Sequence, residues 1–278
     1  MSMRLAAVLG FTVLCVLAAI LLPAMPQAIE YHGFADMRSG AGIANFGNVV
    51  SNAAFFAVGA AGLAVTFGSR ACFASPAERW PYAVFFAGVL LTAFGSAYYH
   101  LAPDNERLFW DRLPMTVAFM GLVSSQWVDR VNVKAGLALL VPLLVAGAAS
   151  VVYWRITERA GAGNVVPYLA LQAYAVFLML ILAYAVPSRY TRGGDLYWVF
   201  AWYVLSKVLE SADAFVFNTG GVVSGHTLKH LAAAVAGIVV ARMLLRRSLV
   251  ADPATPDAAS RRAHLTEGTQ ATAAARRS

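Results

Sequence analysis

The sequence predicts an all-α fold: a polytopic membrane helix bundle with a seven-helix core and one extra N-terminal transmembrane helix. Of its 278 residues, 60% are hydrophobic and only 13% are charged, whereas soluble domains carry roughly a quarter charged residues. The apolar residues form long runs, each close to the ~20 residues that an α-helix needs to cross a bilayer. Because these runs lack the alternating pattern of a membrane β-barrel, we expect helices.

Eight apolar runs predict eight transmembrane helices. Their approximate limits are Leu5 to Leu22, Ile43 to Phe67, Pro81 to His100, Trp110 to Trp127, Ala135 to Tyr153, Val165 to Val186, Leu196 to Phe217 and Val223 to Leu245. The first run could also be a signal peptide, because Arg4 precedes it. Its apolar stretch is longer than the usual ~7 to 15 residues, however, and this favours a retained anchor helix.

The chain therefore divides into three parts. Residues 1–42 form the N-terminal anchor helix and an outer loop, and residues 43–247 form the seven-helix core. Residues 248–278 are rich in Ala, Thr, Pro, Ser and Arg without apolar periodicity, which predicts a disordered tail.

Lys and Arg in the short loops predict that both termini are cytoplasmic, since these residues concentrate on that side of a membrane. The side that carries the termini has ten of them: Arg4, Arg70, Arg79, Arg130, Lys134, Arg189, Arg192, Arg242, Arg246 and Arg247. The opposite loops have four: Arg38, Arg107, Arg155 and Arg159. Much of the positive charge thus faces anionic lipid on the cytoplasmic side, and we expect no nucleic-acid partner.

Three histidines within the spans predict a metal site. Ionisable residues are costly inside a membrane and usually serve a function. His226 and His230 lie four residues apart and share one helix face, and His100 ends the third span. The topology places all three at the non-cytoplasmic end. A membrane histidine more often forms an interhelical hydrogen bond, but three of only five histidines share one depth here. Three histidines with an open fourth position are typical of catalytic Zn²⁺.

Three ordered motifs strengthen this interpretation. Ser96 precedes His100 by four residues, Asp111 lies in the segment Phe-Trp-Asp-Arg-Leu-Pro-Met, and His226-x-x-x-His230 opens the last span. This pattern resembles the alkaline ceramidases, members of a superfamily of seven-helix membrane hydrolases that also contains the adiponectin and progestin receptors. The resemblance extends over about residues 43–245.

The resemblance implies zinc-dependent hydrolysis of a ceramide-like lipid amide taken from the bilayer. His100, His226 and His230 would be the zinc ligands, Asp111 would orient or deprotonate the attacking water, and Ser96 would hydrogen-bond the developing oxyanion. For both Asp111 and Ser96, the alternative is a purely structural role. Asp111 could satisfy free amides at a helix N-terminus, and Ser96 could bond back to its own helix.

The eukaryotic members of this family carry a calcium site before and within the first core helix. The matching stretch here, Glu30 to Asp36, holds few carboxylates, and Asn45 stands where an acid is expected. This composition argues against calcium. We expect Asn45, Asn48 and Asn52 to form interhelical hydrogen bonds instead.

Other polar residues have different expected roles. Lys207 and Glu210 could pair, and Asp213 could line the pocket. His32 and His264 are not expected to be ligands.

Three other functions compete with hydrolysis. A non-catalytic zinc-containing receptor or signalling protein would be expected to carry a large ordered cytoplasmic domain, and the tail is short. A retinal protein, suggested by Lys207, would leave the histidines unexplained. A transporter would show repeated halves or paired broken helices, which the sequence lacks.

Overall fold

The structure is a computed structural model that describes residues 3–250, with side chains from Ala6 onward. This part of the chain is helical and contains no β-strand, which confirms the predicted fold class. The helices are α1 (Met3–Leu21), α2 (Phe46–Val50), α3 (Ala53–Phe67), α4 (Arg79–Leu101), α5 (Asn105–Arg130), α6 (Val133–Arg159), α7 (Val166–Ala185), α8 (Asp195–Ser211), α9 (Asp213–Gly220) and α10 (Gly225–Arg246), with short 3₁₀ turns at Ile29–His32 and Pro76–Glu78. Residues 251–278 lie outside the described residues. They include His264 and nearly all of the predicted disordered tail.

Five helical segments in the described region are long and apolar enough to cross a membrane. They are Phe46–Phe67, Pro76–Leu101, Val133–Arg159, Val166–Ala185 and Gly225–Arg246. The apolar part of α1, Ala6–Leu21, is shorter. The other two predicted spans, in α5 and in α8 with α9, contain five of the seven Asp, Glu, Lys and Arg residues within the predicted spans. The membrane character is thus supported, and the count of seven core helices plus one stays a prediction.

Two predicted spans are broken in the structure. The run from Ile43 to Phe67 separates into α2 and α3 at Ser51 and Asn52, where the Asn52 side chain donates to the carbonyl oxygen of Asn48 (2.7 Å). Such side-chain bonds compete with the regular helix pattern. The run from Leu196 to Phe217 breaks at Ala212 between α8 and α9. Both breaks lie at the end of the bundle that carries the three histidines, which we call the histidine end.

Helix α5 lies at the centre of the bundle, against α4, α6 and α7. Pro114 within α5 has no N–H, so it cannot bond the carbonyl oxygen of Trp110. That oxygen lies against Gly95 of α4, where an added Cβ would be only 1.9 Å from it. A glycine is therefore required at this close approach, which brings Ser96 and Asp111 into adjacent positions on the two helices.

The N-terminal helix α1 packs along α7. Val8 is 2% exposed in this contact, and Phe11 stacks on Tyr174 with ring centroids 6.0 Å apart. The Thr12 hydroxyl is 3.4 Å from the Tyr174 hydroxyl. The outward face of α1 carries exposed leucines, valines and isoleucines, a composition typical of a surface covered by lipid.

A buried polar network closes the end of the bundle opposite the histidines. Asp129 accepts hydrogen bonds from the Tyr82 hydroxyl and from Nη1 of Arg247, both at 2.7 Å. Arg247 is enclosed by aromatic rings, with its guanidinium 4.0 Å from the Tyr190 ring centroid. Arg130 donates to carbonyl oxygens of Val186 and Gly193, both at 2.7 Å. This network joins α4, α5 and the end of α10 to the loop between α7 and α8.

We expect Arg247→Met to destabilise the protein by about 3–5 kcal/mol, because it leaves the Asp129 carboxylate buried without its charged partner. The same substitution at Arg107, whose pair with Asp104 is 3.8 Å long and exposed, should cost less than about 1 kcal/mol. Unfolding of both variants in detergent, followed by the denaturant midpoint, measures the difference. Equal losses of stability in the two variants would show that the Asp129–Arg247 pair stabilises the protein no more than a surface ion pair does.

Candidate metal centre and adjoining cavity

The structure brings the three predicted histidines together. His100 from α4 and His226 and His230 from α10 have ring centroids 4.8 to 5.1 Å apart, and each can offer one nitrogen such that all three lie within 4.8 Å of one another. Their exposed fractions are 1%, 6% and 4%. Three buried imidazoles from two helices therefore converge on one point.

Contacts around the histidines fix their orientation. Nδ1 of His230 is 2.7 Å from the Ser51 hydroxyl at the break between α2 and α3, so its Nε2 is left for another partner. Asn45 donates to the carbonyl oxygen of His100 (2.8 Å). Ser224 caps α10 by accepting from the backbone N–H of Thr227 (3.1 Å), which positions the first turn containing His226.

The predicted interhelical role of the asparagines is confirmed for two of them. Asn45 links α2 to α4 through the carbonyl oxygen of His100. Asn48 accepts from the Thr227 hydroxyl of α10 (2.9 Å). The prediction is wrong for Asn52, which donates only to carbonyl oxygens of its own segment. It lies at the helix break, where free carbonyls are within its reach.

The loop before α2 covers the histidines. The Phe34 ring lies 4.8 Å from the His100 ring and 4.5 Å from the His226 ring, measured between centroids. Asp213 holds this loop by accepting from the backbone N–H of Ala35 (2.9 Å) and from that of His226 (2.7 Å). Asp213 is therefore a clamp between the loop and α10, and the expectation that it lines the pocket is wrong.

A second pair fixes the same loop at the protein surface. Arg38 makes a bidentate contact with Asp36, with both N–O distances 2.8 Å, and also donates to the carbonyl oxygens of Gly221 and Val222. Hydrogen bonds from Arg38 hold the pKa of the Asp36 carboxyl below its usual range. In the stretch compared with a calcium site, the Asp36 carboxylate is thus occupied by a guanidinium.

A cavity of about 270 Å³ begins beside the histidines and continues into the bundle. Ser96, Asp111 and His230 line its polar end, and the Ser96 side chain faces the Asp111 carboxylate. His100 and His226 lie behind the wall and do not line it. The rest of the cavity is mostly apolar and is bounded by Phe85, Val89, Leu122, Val176, Met179, Leu196 and Val199 among others. The arrangement suits a ligand with one polar group and a long apolar part.

Lys207 and Glu210 pair, as the sequence suggested. Sequence reasoning missed Lys229 of α10, which contacts the other oxygen of Glu210, so one carboxylate joins two lysines from two helices. All three residues line the cavity. His32 is occupied elsewhere, with its ring nitrogens 2.9 Å from the Tyr99 hydroxyl and 3.0 Å from Oδ1 of Asn105.

Comparison with known protein families matches residues 38–211 to the Ceramidase family. The chain belongs to the ceramidase family. Comparisons with curated proteins and with solved structures gave no match. The family match ends with α8, so it includes Ser96, His100 and Asp111 but not His226 and His230. The structure supplies what the match omits, because α10 brings its two histidines to His100.

Ceramidase family membership supports a hydrolase that acts on amide bonds of lipids, and the three histidines of this chain suit a metal ion. Their donor set is three imidazole nitrogens from buried rings, which zinc and related divalent ions accept. Nε2 of His100 lies 3.3 Å from Nε2 of His226, so these two nitrogens face each other where the rings converge, as two ligands of one metal ion would. Sequence reasoning missed Ser51, whose hydroxyl contacts Nδ1 of His230. Its position between Asn48 and Asn52 within a predicted span was a signal that could have found it.

We expect the purified protein to bind a divalent metal, and His226→Ala to abolish stoichiometric binding. Removing one of three ligands should weaken affinity by more than the roughly 10–100-fold typical of outer-partner variants. Metal analysis after dialysis measures this. His32→Gln is the matched control, because that ring lies outside the cluster, and it should retain the metal. Full metal content in His226→Ala would contradict the assigned centre.

Asp213→Asn tests the clamp. The amide has one acceptor oxygen where the carboxylate has two, so either Ala35 or His226 loses its backbone partner, at a cost of about 1–3 kcal/mol. We expect lower thermal stability and weaker metal retention against a chelator, since the first turn of α10 is released. Asp195→Asn, at the opposite end of the bundle, should leave metal retention unchanged. Retention by Asp213→Asn equal to that of the native protein would refute the clamp.

Proposed function

We propose that this protein is a zinc-dependent intramembrane hydrolase that cleaves the amide bond of ceramide-like N-acyl lipids into a free fatty acid and an amine of the sphingoid type. The observation that carries the proposal is the placement of Ser96, Asp111 and His230 at the polar end of a largely apolar cavity, with His100 and His226 grouped with His230 behind its wall. Family membership supports the reaction class and the lipid substrate.

His100, His226 and His230 would hold the metal. When bound, zinc supplies Lewis-acid polarisation of the amide carbonyl and activation of water. Asp111 accepts a proton from the attacking water and later gives a proton to the leaving amine nitrogen. The Ser96 hydroxyl donates to the carbonyl oxygen as negative charge develops there. The apolar cavity wall excludes bulk water, which strengthens both polar interactions.

The cavity suits one lipid chain. Its volume of about 270 Å³ is near the lower limit of the ~300–1,000 Å³ common for ligand pockets. Tyr203 and Lys207 of α8 line both this cavity and a shallow groove on the bundle surface. A lipid could therefore enter sideways from the bilayer along α8, with its amide at the histidine end and its acyl chain in the apolar part.

The orientation of the protein in the membrane is part of the same proposal. The Lys and Arg distribution places the termini in the cytoplasm, so the histidine end faces the non-cytoplasmic side. The buried network of Asp129 and Arg247 then lies near the cytoplasmic surface. Substrate would be drawn from the outer leaflet.

The test is release of fatty acid from N-acyl lipids by the detergent-purified protein. We expect zinc-dependent release that a chelator stops and added zinc restores. Asp111→Asn should lower kcat by about 10²–10⁴-fold, and Ser96→Ala by about 10–10³-fold, while both retain the metal. Asp195→Asn is the matched control and should keep full activity.

Chelator-insensitive release would disprove the metal mechanism. A metal-loaded protein that binds lipid but hydrolyses no member of a panel of N-acyl lipids would instead support the non-catalytic receptor. Full activity of Asp111→Asn would remove Asp111 from the mechanism and leave it a structural residue in the second turn of α5.

A further inference from the structure

Three charged side chains form a cluster on the wall of the cavity, and we call Lys207, Glu210 and Lys229 the charged cluster. All three line the cavity, and Lys207 also lines the surface groove along α8. Their side chains are 50%, 19% and 16% exposed, so a molecule in the cavity can reach them. Ionisable groups within membrane spans are costly and usually serve a function.

The charged cluster has bonding capacity left over. The Glu210 carboxylate accepts from Lys207 through one oxygen and from Lys229 through the other. Within the described part of the chain, neither ammonium group has a further hydrogen-bond partner. A carboxylate can accept more hydrogen bonds than it receives from these lysines, and an ammonium can donate more than one. The cluster therefore presents an acceptor and donors side by side to the cavity.

The charged cluster lies close to the residues assigned to the reaction. Lys229 directly precedes His230 in α10, and the charges of Lys229 and Glu210 both act on the Asp111 carboxyl. Ser96 and Asp111 line the same cavity as the cluster. A lipid whose amide bond lies at Ser96 and Asp111 therefore has the atoms next to that amide near the cluster.

A neutral hydroxyl group suits the charged cluster better than an ionic group does. A hydroxyl both donates and accepts, so it can donate to Glu210 and accept from Lys229 at the same time. A carboxylate or phosphate would be repelled by Glu210, and an ammonium group would be repelled by the two lysines. Hydroxyl groups next to the amide are also a feature of ceramide-like lipids, the neutral class that the family match supports.

We propose that the charged cluster is a head-group subsite: Glu210 accepts a hydrogen bond from the terminal hydroxyl of the sphingoid-type base, and Lys229 donates to the same oxygen. The subsite rests on the proposed function, which supplies the amide and its neighbouring hydroxyl. It orients the amide toward Ser96 and Asp111, and it selects lipids that carry the hydroxyl. Lys207, at the groove, holds the Glu210 carboxylate in place.

A matched pair of lipids tests the hydroxyl. N-palmitoylsphingosine and its 1-deoxy form share both chains and the amide, and they differ only in the terminal hydroxyl. Binding to the detergent-purified protein is measured by displacement of a ceramide with a fluorescent acyl chain, and hydrolysis by fatty-acid release. The native protein should prefer the hydroxylated lipid by about 10–100-fold in Kd and in kcat/KM, because the 1-deoxy lipid loses hydrogen bonds to charged partners.

Two variants separate the Glu210 carboxylate from the net charge of the cluster. Lys207→Met keeps the pair of Glu210 and Lys229, so its preference should stay within about threefold of the native one. Adding Glu210→Gln to Lys207→Met restores the native net charge, since one lysine and an amide carry the same charge as two lysines and a carboxylate.

The double variant should reduce the preference by about tenfold, because a neutral amide is a weaker acceptor than a carboxylate. The loss should come from weaker binding of the hydroxylated lipid. Binding of the 1-deoxy lipid should change less than about threefold, which serves as the control for an intact cavity. Comparing the ratio of the two Kd values between native and variant proteins cancels differences in how the lipids partition into detergent.

Three results would overturn the head-group subsite: no preference in the native protein, a double-variant preference within about threefold of the native one, or an equal loss of preference in Lys207→Met and the double variant. The first two would make the cluster a structural brace between α8 and α10, and the third would assign the preference to net charge. A Glu210-dependent preference in binding without hydrolysis of either lipid would support the subsite and refute the hydrolase. Equal binding and equal hydrolysis of both lipids would support the hydrolase and refute the subsite.

Discussion

Polar groups inside a lipid-embedded bundle have no bulk water to bond with, so each must find a partner within the protein or in a ligand. This constraint organises the whole structure. At the end opposite the histidines it is met largely within the protein, because Asp129 accepts from Tyr82 and Arg247 and Arg130 bonds free carbonyl oxygens, although Oδ1 of Asp129 and Nη2 of Arg247 have no partner. At the histidine end it is met only in part.

The incomplete pairing at the histidine end gives this end its chemical character. Three imidazoles converge on one point, Asp111 faces Ser96 with the positive charges of Lys229 and Arg112 nearby, and Arg112 retains a buried N–H group without an acceptor. The same bundle thus has one end closed by the ion pair of Asp129 and Arg247 and another end where three histidines could hold a metal. The apolar cavity connects the second end to the interior.

Helix breaks make this arrangement possible. The interruption between α2 and α3 brings Ser51 to His230, and the interruption at Ala212 releases Asp213 to bond two backbone N–H groups from distant segments. The loop carrying Phe34 can then lie over the histidine rings, so the three histidines are enclosed by protein and separated from the surface.

The amino-acid sequence determined the helical membrane class, because a run of apolar residues in lipid can satisfy its backbone only as a helix. It also determined which histidines meet, since four-residue spacing and alternating span direction place them on one face at one end. The tertiary structure alone decided the helix breaks, the clamp by Asp213 and the sharing of Glu210 between two lysines. Each depends on contacts between segments far apart in the chain. The spacing of residues along the sequence does not show which of several possible partners a side chain will contact.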